Sequence, residues 1–565
     1  MAGRISVRFV RGLGVAWRPC FFLLLCLGLA ACATGYNPKP LELAERRIEV
    51  DCAVFPTFTP KALLVASEGF ALQLSLLQQA EAAASDPEVR FYDGQLAGAL
   101  LHRDIVLGRL AVAYAGIGAY DHAIRVAAAL TKPSAREFAF AGIANHYAAV
   151  GEIDAAREVT AALPDDAGWQ DWRRGILSFY SAAATAKSGD LDTARWMLRG
   201  LGFSEPEVEA YMAPWLVDAG QGEQALAGLR DAAAMPPPLR AAALAAVAQA
   251  AFVTGNPWVG RQAAAEAHRV RREAGYNILG ALRADLVDHM ALIDLLYAEG
   301  AESSARIMAE QVVQDLSGRG LDDRRVDRVV FEHLLSLFEL QRAYRDLEGA
   351  ERSLKALRRR ASPIPDAPEH WAQVAATRQV WLTIMKGDAA AGLRLAEGIK
   401  AKPARCRAMV NAISALSIRG DLTRAWQLAE ATTAAGDCPK GKDWRDESGE
   451  ARAESWRAWR REAHFRARHP FGEVAFMALS AGEPEAACRA LTRIDDVGER
   501  GQAMLAMANA LSRAGYPEVA AEIVGAAKDP EFRFHGYMEV VEPWGGSLRE
   551  RLPLQDRWGE ALRYR

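Results

Sequence analysis

Cys32 is the residue in this sequence whose surroundings point most directly to a covalent reaction. Four arginines and no acidic residue lie in the first 18 positions, an apolar run follows over 21–29, and two alanines precede the cysteine. A positive segment, a short apolar segment and small residues in that order are typical of a secretory signal peptide. The apolar run is shorter than the ~20 residues that a membrane-spanning helix needs. The pattern predicts that residues 1–31 are removed on export.

The four residues Leu29-Ala30-Ala31-Cys32 resemble the lipobox of bacterial lipoproteins. The resemblance implies that the Cys32 sulfur receives a diacylglyceryl group, that the chain is cut before it, and that the new amino group is acylated. Two or more acyl chains anchor a protein stably, because each buried CH₂ contributes ~0.8 kcal/mol. Residues 32–60 are then the lipidated N-terminus and a tether, and the lipid bilayer is one partner. The alternative is an ordinary signal peptide with a chance cysteine at its end.

The residue after the cysteine implies a location. Lipoproteins that stay in the inner membrane often carry Asp at this place, whereas this chain has Ala33. The resemblance therefore implies the outer membrane of a Gram-negative cell, with the protein facing the periplasm.

An aromatic and basic stretch within 443–468 is a second candidate site. On a helix its two tryptophans fall on one stripe with arginines around them, which suits anionic lipid headgroups, a glycan or a partner protein. The alternative, which we favour, is a degenerate repeat helix that buries its tryptophans. The residues of this candidate binding patch are Trp456, Arg457, Trp459, Arg460 and Arg461.

The sequence contains no arrangement that predicts catalysis. Nucleophile elbows, phosphate loops, dinucleotide fingerprints and metalloprotease motifs are missing where a helix or strand would support them. The closest histidines, His464 and His469, are five residues apart and do not share a helical face. The formal charge is −3, and loss of four signal arginines makes it −3 − 4 = −7. We therefore predict no enzyme, no metal or other cofactor, and no nucleic-acid partner, since such a binder would be basic.

A repeat in the sequence predicts the secondary-structure elements that position these residues. A lead residue, usually glycine, recurs every 31 to 62 positions, and the residue five places later is Ala or Gly in all eleven copies. Two helices joined by tight turns fill such a period. The fold class predicted is all-α. The lead positions are Gly118, Gly151, Gly189, Gly220, Gly255, Gly300, Arg345, Gly387, Gly420, Gly482 and Gly515.

Each place in the pattern has a predicted role. The lead glycine suits the left-handed residue that ends a first helix. Three places later, an acidic or hydroxyl residue suits the start of the second helix, either as a cap or as a charge at the positive end of the dipole. The small residue lets the two helices approach closely. Arginines fifteen places before several lead positions are expected to reach a carbonyl-rich helix end or an acidic neighbour, with a ligand-binding stripe as the alternative; they are Arg103, Arg136, Arg174, Arg240, Arg405 and Arg500.

Tyr114, Gly118, Tyr120 and Ala123 look like positions of the tetratricopeptide-type helix-turn-helix unit. The resemblance implies a right-handed α-α superhelix, an α-solenoid of about eleven helical hairpins. Most copies lack that family's usual tryptophan and following Leu-Gly, so a more general alanine-rich α-solenoid fits equally well. The fold class is the same in both cases.

Three prolines within 361–368 cannot continue a helix and predict a linker between two arms of the solenoid. The arms are 61–360 and 369–530, and 531–565 is a cap and tail. In the repeat led by Gly420, Cys406 and Cys438 fall at the same end of an antiparallel hairpin, which makes them candidates for a disulfide. Free thiols are the alternative, and the state of Cys52 and Cys488 stays open.

The function predicted is that of a non-catalytic, envelope-anchored scaffold or adaptor. Its repeats would present an extended surface to partner proteins of an assembly, secretion or export machinery. The alternative is a cell-wall-active enzyme, or a glycan-binding or polysaccharide-export protein, built on a helical superhelix. Only about 45 residues follow Ala520, which leaves little room for a catalytic module.

Overall fold

The computed structural model describes most of the chain from residue 66 to residue 544, together with Val50 and Cys52. The signal segment, Cys32, the aromatic and basic stretch with its five candidate residues, and 545–565 lie outside the described residues. The described ranges are 50, 52, 66–86, 91–93, 99–101 and 103–544, without 166, 233, 275–281, 319–323, 362–367, 437, 439–468, 481, 496 and 514–515.

Within these residues the chain forms 24 helices and one short antiparallel hairpin of two strands. The first helix, α1, spans Ala66–Ser85. The chain divides into two compact units, and the division falls within α1, after Ala80, and again after Phe203.

The first unit contains the two strands and three helical pairs. In each pair a first helix packs against the following second helix, and successive first helices pack against one another. The elements are β1 Phe91–Asp93, β2 Ala99–Leu101, α2 Arg103–Gly116, α3 Tyr120–Ala128, α4 Pro133–Ala149, α5 Ile153–Thr160, α6 Ala167–Lys187 and α7 Leu191–Gly200.

The second unit contains eight further pairs and a last helix that packs against the final pair. The three and eight pairs make eleven consecutive helical hairpins, which confirms the predicted α-solenoid. Its helices are α8 Glu205–Asp218, α9 Gly222–Asp231, α10 Pro237–Val253, α11 Pro257–Ala274, α12 Leu282–Ala298, α13 Glu302–Gly318, α14 Arg324–Ala343, α15 Leu347–Ala361, α16 Pro368–Met385, α17 Ala389–Glu397, α18 Lys402–Ile418, α19 Leu422–Ala434, α20 Pro470–Ser480, α21 Pro484–Thr492, α22 Val497–Arg513, α23 Pro517–Gly525 and α24 Pro530–Trp544.

The lead residue of each described repeat has the left-handed conformation predicted for it. Nine lead glycines have φ between 69° and 111°, and Arg345, which replaces glycine in one copy, has φ 57°. At Gly118 the next amide, of Ala119, donates to the carbonyl of Tyr114 at 2.9 Å, which closes the end of α2. Glycine adopts this conformation without steric cost, whereas a side chain is strained in it.

Arg345 therefore provides a test of the turn. We expect Arg345→Gly to raise the free energy of unfolding by about 1 kcal/mol, because it relieves the left-handed strain. As a matched control, Lys355→Gly within α15 should lower it by about 1 kcal/mol, since glycine is a poor helix residue. Chemical denaturation of the two variants measures both changes. A loss of stability in Arg345→Gly would show that contacts of the arginine side chain outweigh the strain.

The cap of the second helix lies one residue after the lead position, not three. The carboxylates of Asp190, Asp388 and Asp421 each accept a hydrogen bond from the backbone amide three residues later, at 2.8 to 3.2 Å. The residue three places after the lead, for example Asp121 or Asp154, lies in the first turn. The prediction that this residue caps the helix is wrong where an aspartate cap is observed, and the predicted first-turn charge is present in copies such as those with Asp121, Asp154 and Asp192.

The small residue five places after the lead is buried in every copy. At Gly260 an added methyl group would meet the Phe252 ring at 2.8 Å, so this pair of helices, α10 and α11, has no room for a larger residue. The core is thus built largely from alanines at helix crossings.

Three of the predicted arginines bridge to the end of the preceding helix or turn. Arg405 donates to the carbonyl of Ile399 at 3.4 Å, and Arg500 donates to the carbonyl of Ile494 at 2.7 Å. Arg103 makes the same kind of bond to the carbonyl of Asp86. At these positions the structural role predicted from the register is confirmed.

The proline-rich segment 361–368 lies inside the second unit. The helices on its two sides, α15 and α16, pack against each other, whereas the division of the chain falls after Phe203. Among the described helices, none has the length and apolar character needed to cross a membrane.

Candidate binding site

A group of polar side chains lies on three consecutive first helices of the second unit. We call it the arginine network, and it consists of Glu339 and Arg342 on α14, Arg378 on α16, and Asn411 and Ser414 on α18.

The network is centred on one buried carboxylate. The Glu339 side chain is 3% exposed, and its Oε1 accepts a hydrogen bond from Arg378 Nε at 2.9 Å. Its other oxygen lies 3.7 Å from Nη1 of Arg342, three residues later on the same helix face. A buried carboxylate is costly unless it is paired, and these two guanidinium groups contribute to that pairing.

Arg342 links the first of these helices to the third. Its Nη1 donates to Oδ1 of Asn411 at 2.8 Å and its Nη2 donates to Oγ of Ser414 at 3.1 Å. The guanidinium carbon also lies 5.0 Å from the centroid of the Trp381 ring. Trp381 is fully buried on α16, and the face of its ring makes a cation–π contact with the Arg342 guanidinium.

The helix between them, α16, joins the network through a backbone carbonyl and a hydroxyl group. Arg378 Nη1 donates to Oγ1 of Thr377 at 3.0 Å, and Asn411 Nδ2 donates to the carbonyl of Thr377 at 3.1 Å. Three repeats therefore share one continuous set of hydrogen bonds. The position of each member depends on the spacing of its neighbours.

Within the network, one carboxylate faces two guanidinium groups. The arginine side chains are 12% and 15% exposed, so they reach the surface while the carboxylate stays beneath it. Guanidinium groups recognise carboxylate and carbonyl oxygens with defined geometry.

A second polar cluster joins earlier repeats of the same unit. Tyr297 donates to Oδ2 of Asp346 at 2.7 Å, and Tyr344 donates to Oδ1 of Asp294 at 2.8 Å. The two tyrosine rings stack with centroids 4.7 Å apart. Burial, followed by the neighbouring carboxylate, raises the pKa of both tyrosines well above its usual range. Both hydroxyls therefore remain protonated donors. We interpret the cluster as a set of structural contacts that stabilises the packing between repeats.

The first unit contains a comparable hydrogen-bonded cluster. Tyr114 donates to Glu81 at 2.9 Å, and Arg125 binds the same carboxylate through two nitrogens at 2.7 and 2.8 Å. The hydrogen bonds from both residues lower the pKa of Glu81 against the effect of its partial burial. Tyr114, one of the positions that resemble the tetratricopeptide-type unit, thus also joins α2 to α1 through a hydrogen bond.

The cysteines form two disulfides. Cys406 and Cys438, the candidates from the sequence, are joined with their α-carbons 5.0 Å apart. Cys52 and Cys488, whose state was open, are joined with a Cα–Cα distance of 5.7 Å. Next to the second disulfide along the chain, Val50 pairs with Ala527 in an isolated antiparallel bridge. Both features fasten the N-terminal segment to the last repeats of the second unit.

The other predicted site residues are not brought together by the described structure. Cys32 and the patch from Trp456 to Arg461 lie outside the described residues, as does His464. The arginine network was not predicted. Other copies also carry polar residues at the register of Glu339 and Ser414, for example Asn145, Gln249 and Asp294, so the repeat pattern does not single the network out.

No protein-family model matches this chain, and neither does any curated protein sequence. Among solved structures, one similar chain is described as a "circular tandem repeat protein with novel repeat topology and enhanced subunit contact surfaces". It is 15% identical, with a TM-score of 0.22, over 87% of this chain and 99% of its own. Ton1535 from Thermococcus onnurineus NA1 is 11% identical, with a TM-score of 0.23, over 64% of this chain and 98% of its own. Similarities this low carry no argument about function, and the assignment of a helical-repeat protein follows from its own eleven hairpins.

Proposed function

We propose that the protein is a non-catalytic scaffold or adaptor lipoprotein, anchored by acylated Cys32 at the outer membrane and facing the periplasm. Its tetratricopeptide-like first helices bind partner proteins of an assembly, secretion or export machinery. The observation that carries this proposal is the arginine network, in which three consecutive first helices place polar and charged groups in a core built largely of apolar side chains. Stacked repeats commonly bind partners through such extended surfaces.

Two further observations support export and binding. Disulfides persist in oxidising compartments outside the cytosol, and the described chain contains two. The guanidinium groups of Arg342 and Arg378 are held in place near the surface, and such groups bind carbonyl or carboxylate oxygens with defined geometry.

Capture from detergent-solubilised envelopes tests the role of the network. The double variant Glu339→Gln/Arg378→Gln removes both charges and keeps a polar side chain at each position. Arg394→Gln is the matched control, because Arg394 is exposed on α17 in the same repeat as Arg378. We expect the proteins retained by the wild type, quantified by mass spectrometry, to fall about tenfold with the double variant, a change of ~1.4 kcal/mol, and to stay unchanged with the control. Equal capture by all three proteins would overturn the proposed binding surface.

Cys32→Ala tests the anchor separately. Without a cysteine no acyl chain can be attached, so we expect the variant to move from the membrane fraction to the soluble periplasmic fraction. Its helix content, measured by circular dichroism, should equal that of the wild type because the described repeats begin beyond this residue. A variant that stayed in the membrane fraction would contradict lipid anchoring at Cys32.

A further inference from the structure

Two histidines face each other inside the second unit, at the junction of two repeats. His268 lies on α11, the second helix of the fifth pair, and His289 lies on α12, the first helix of the sixth. They are 3% and 0% exposed, and their Nδ1 atoms are 3.1 Å apart. The rings meet edge to face, with centroids 4.8 Å apart. We call these two residues the histidine pair.

A hydrogen bond at this distance requires that the accepting Nδ1 carry no proton, so at least one of the two rings must be neutral. A neutral imidazole has one nitrogen that donates and one that accepts, so a hydrogen bond between the Nδ1 atoms of two neutral rings needs one ring in each tautomer. If the accepting ring takes up a proton, two N–H groups point at each other across 3.1 Å. The contact then changes from attractive to repulsive, in a place where water cannot separate the charges.

The surroundings oppose protonation as well. Arg271 and Arg272 lie on the same helix and disfavour a positive charge on both rings. On α13, Gln311 hydrogen-bonds to His268, and Asp315 favours its charged form. Arg272 and Asp315 are ion-paired at 2.7 Å, however, so the carboxylate is already partly compensated.

We propose that the histidine pair is an acid-sensitive contact, and that a proton taken up by the accepting ring opens the packing between the fifth and sixth repeats. The inference does not depend on the proposed anchoring or on the arginine network. A shared metal ion is a poor alternative explanation, because no group of three metal-binding side chains occurs among the described residues and two arginines lie beside the pair.

The direction of the pH effect follows from the pKa values. Burial, followed by Arg272, lowers the pKa of His268 from 6.5 to about 4, and the pKa of His289 is also lowered well below its usual value. The closed contact is therefore fully stable above the ordinary histidine pKa of 6.5 and loses stability as the pH falls toward 4. Near pH 5, linkage at His268 alone multiplies the open fraction by about 30.

Hydrogen exchange of the full-length protein, analysed by mass spectrometry and corrected for intrinsic rates, tests the proposal. We expect amides of α11 and α12 to lose protection by about 30-fold between about pH 7.5 and about pH 5, while amides of α18 keep theirs. The double variant His268→Gln/His289→Gln should lose this local pH dependence. His122→Gln, a histidine variant in the first unit, should retain it.

Two results would overturn the proposal. One is equal protection of α11 and α12 in the wild type at the two pH values. The other is an unchanged acid response in the double variant. If that variant does not fold at neutral pH, hydrogen exchange of the wild type still tests the proposal. An acid-induced loss of amide protection confined to α11 and α12 supports the contact. A loss of protection spread evenly over the second unit contradicts it.

Discussion

Loss of the Cys52–Cys488 disulfide is expected to lower the free energy of unfolding by about 6 kcal/mol. The bonded residues are 436 positions apart, and a cross-link over so long a loop removes much entropy from the unfolded chain. The variant Cys52→Ser/Cys488→Ala suits the two environments, since Cys52 is exposed and Cys488 is fully buried. Chemical denaturation followed by circular dichroism measures the change.

The second disulfide supplies the control. Cys406 and Cys438 are 32 positions apart, so the same chain-entropy argument gives about 4 kcal/mol for their removal. The long-range variant should therefore be the less stable of the two and should also expose the segment around Val50 to proteases. Equal unfolding midpoints for the wild type and the long-range variant would show that Cys52 and Cys488 are not bonded in the folded protein.

Arg378→Met is expected to lower the free energy of unfolding by about 3 kcal/mol. The substitution leaves the buried Glu339 without its 2.9 Å hydrogen bond, and an undercompensated buried charge costs roughly 3 to 5 kcal/mol. Arg342 remains 3.7 Å from the carboxylate, which keeps the cost at the lower end of that range. Urea denaturation at neutral pH measures the effect.

A double-mutant cycle separates the charge from the packing. Glu339→Met/Arg378→Met removes both partners, and we expect it to recover most of the loss, because apolar residues of similar volume replace buried ion pairs at little cost. Arg394→Met on the exposed surface of α17 should change stability by less than about 0.5 kcal/mol. If Arg378→Met costs no more than this control, the ion pair does not contribute to stability.

The repeat was predictable because its signals are local. A lead glycine, a small residue five places later and an acidic first turn each act within one hairpin, and eleven copies repeat the same information. Even Arg345, which breaks the glycine rule, was assigned to its turn by the register and has the left-handed φ of the other copies. The position of the helix cap was missed because the cap and the first-turn charge use the same residue types two places apart.

The contacts between repeats were harder to predict, because they join residues from different hairpins. Arg342 reaches Asn411 across 69 positions, and the repeat pattern contains no signal for that pairing. The same holds for His268 and His289, which belong to successive pairs and meet only when α11 packs against α12.

The helical-repeat architecture, its turns and its number of hairpins follow from the amino-acid sequence, because each hairpin is specified by its own residues and packs mainly against its neighbours. It also carries the cysteine motif on which the proposed anchor rests. The folded structure was needed to show which buried charges meet, which histidines share a hydrogen bond, and that Cys52 pairs with Cys488. Those contacts depend on distances between elements that are far apart in the chain, and side-chain spacing within one repeat does not contain them.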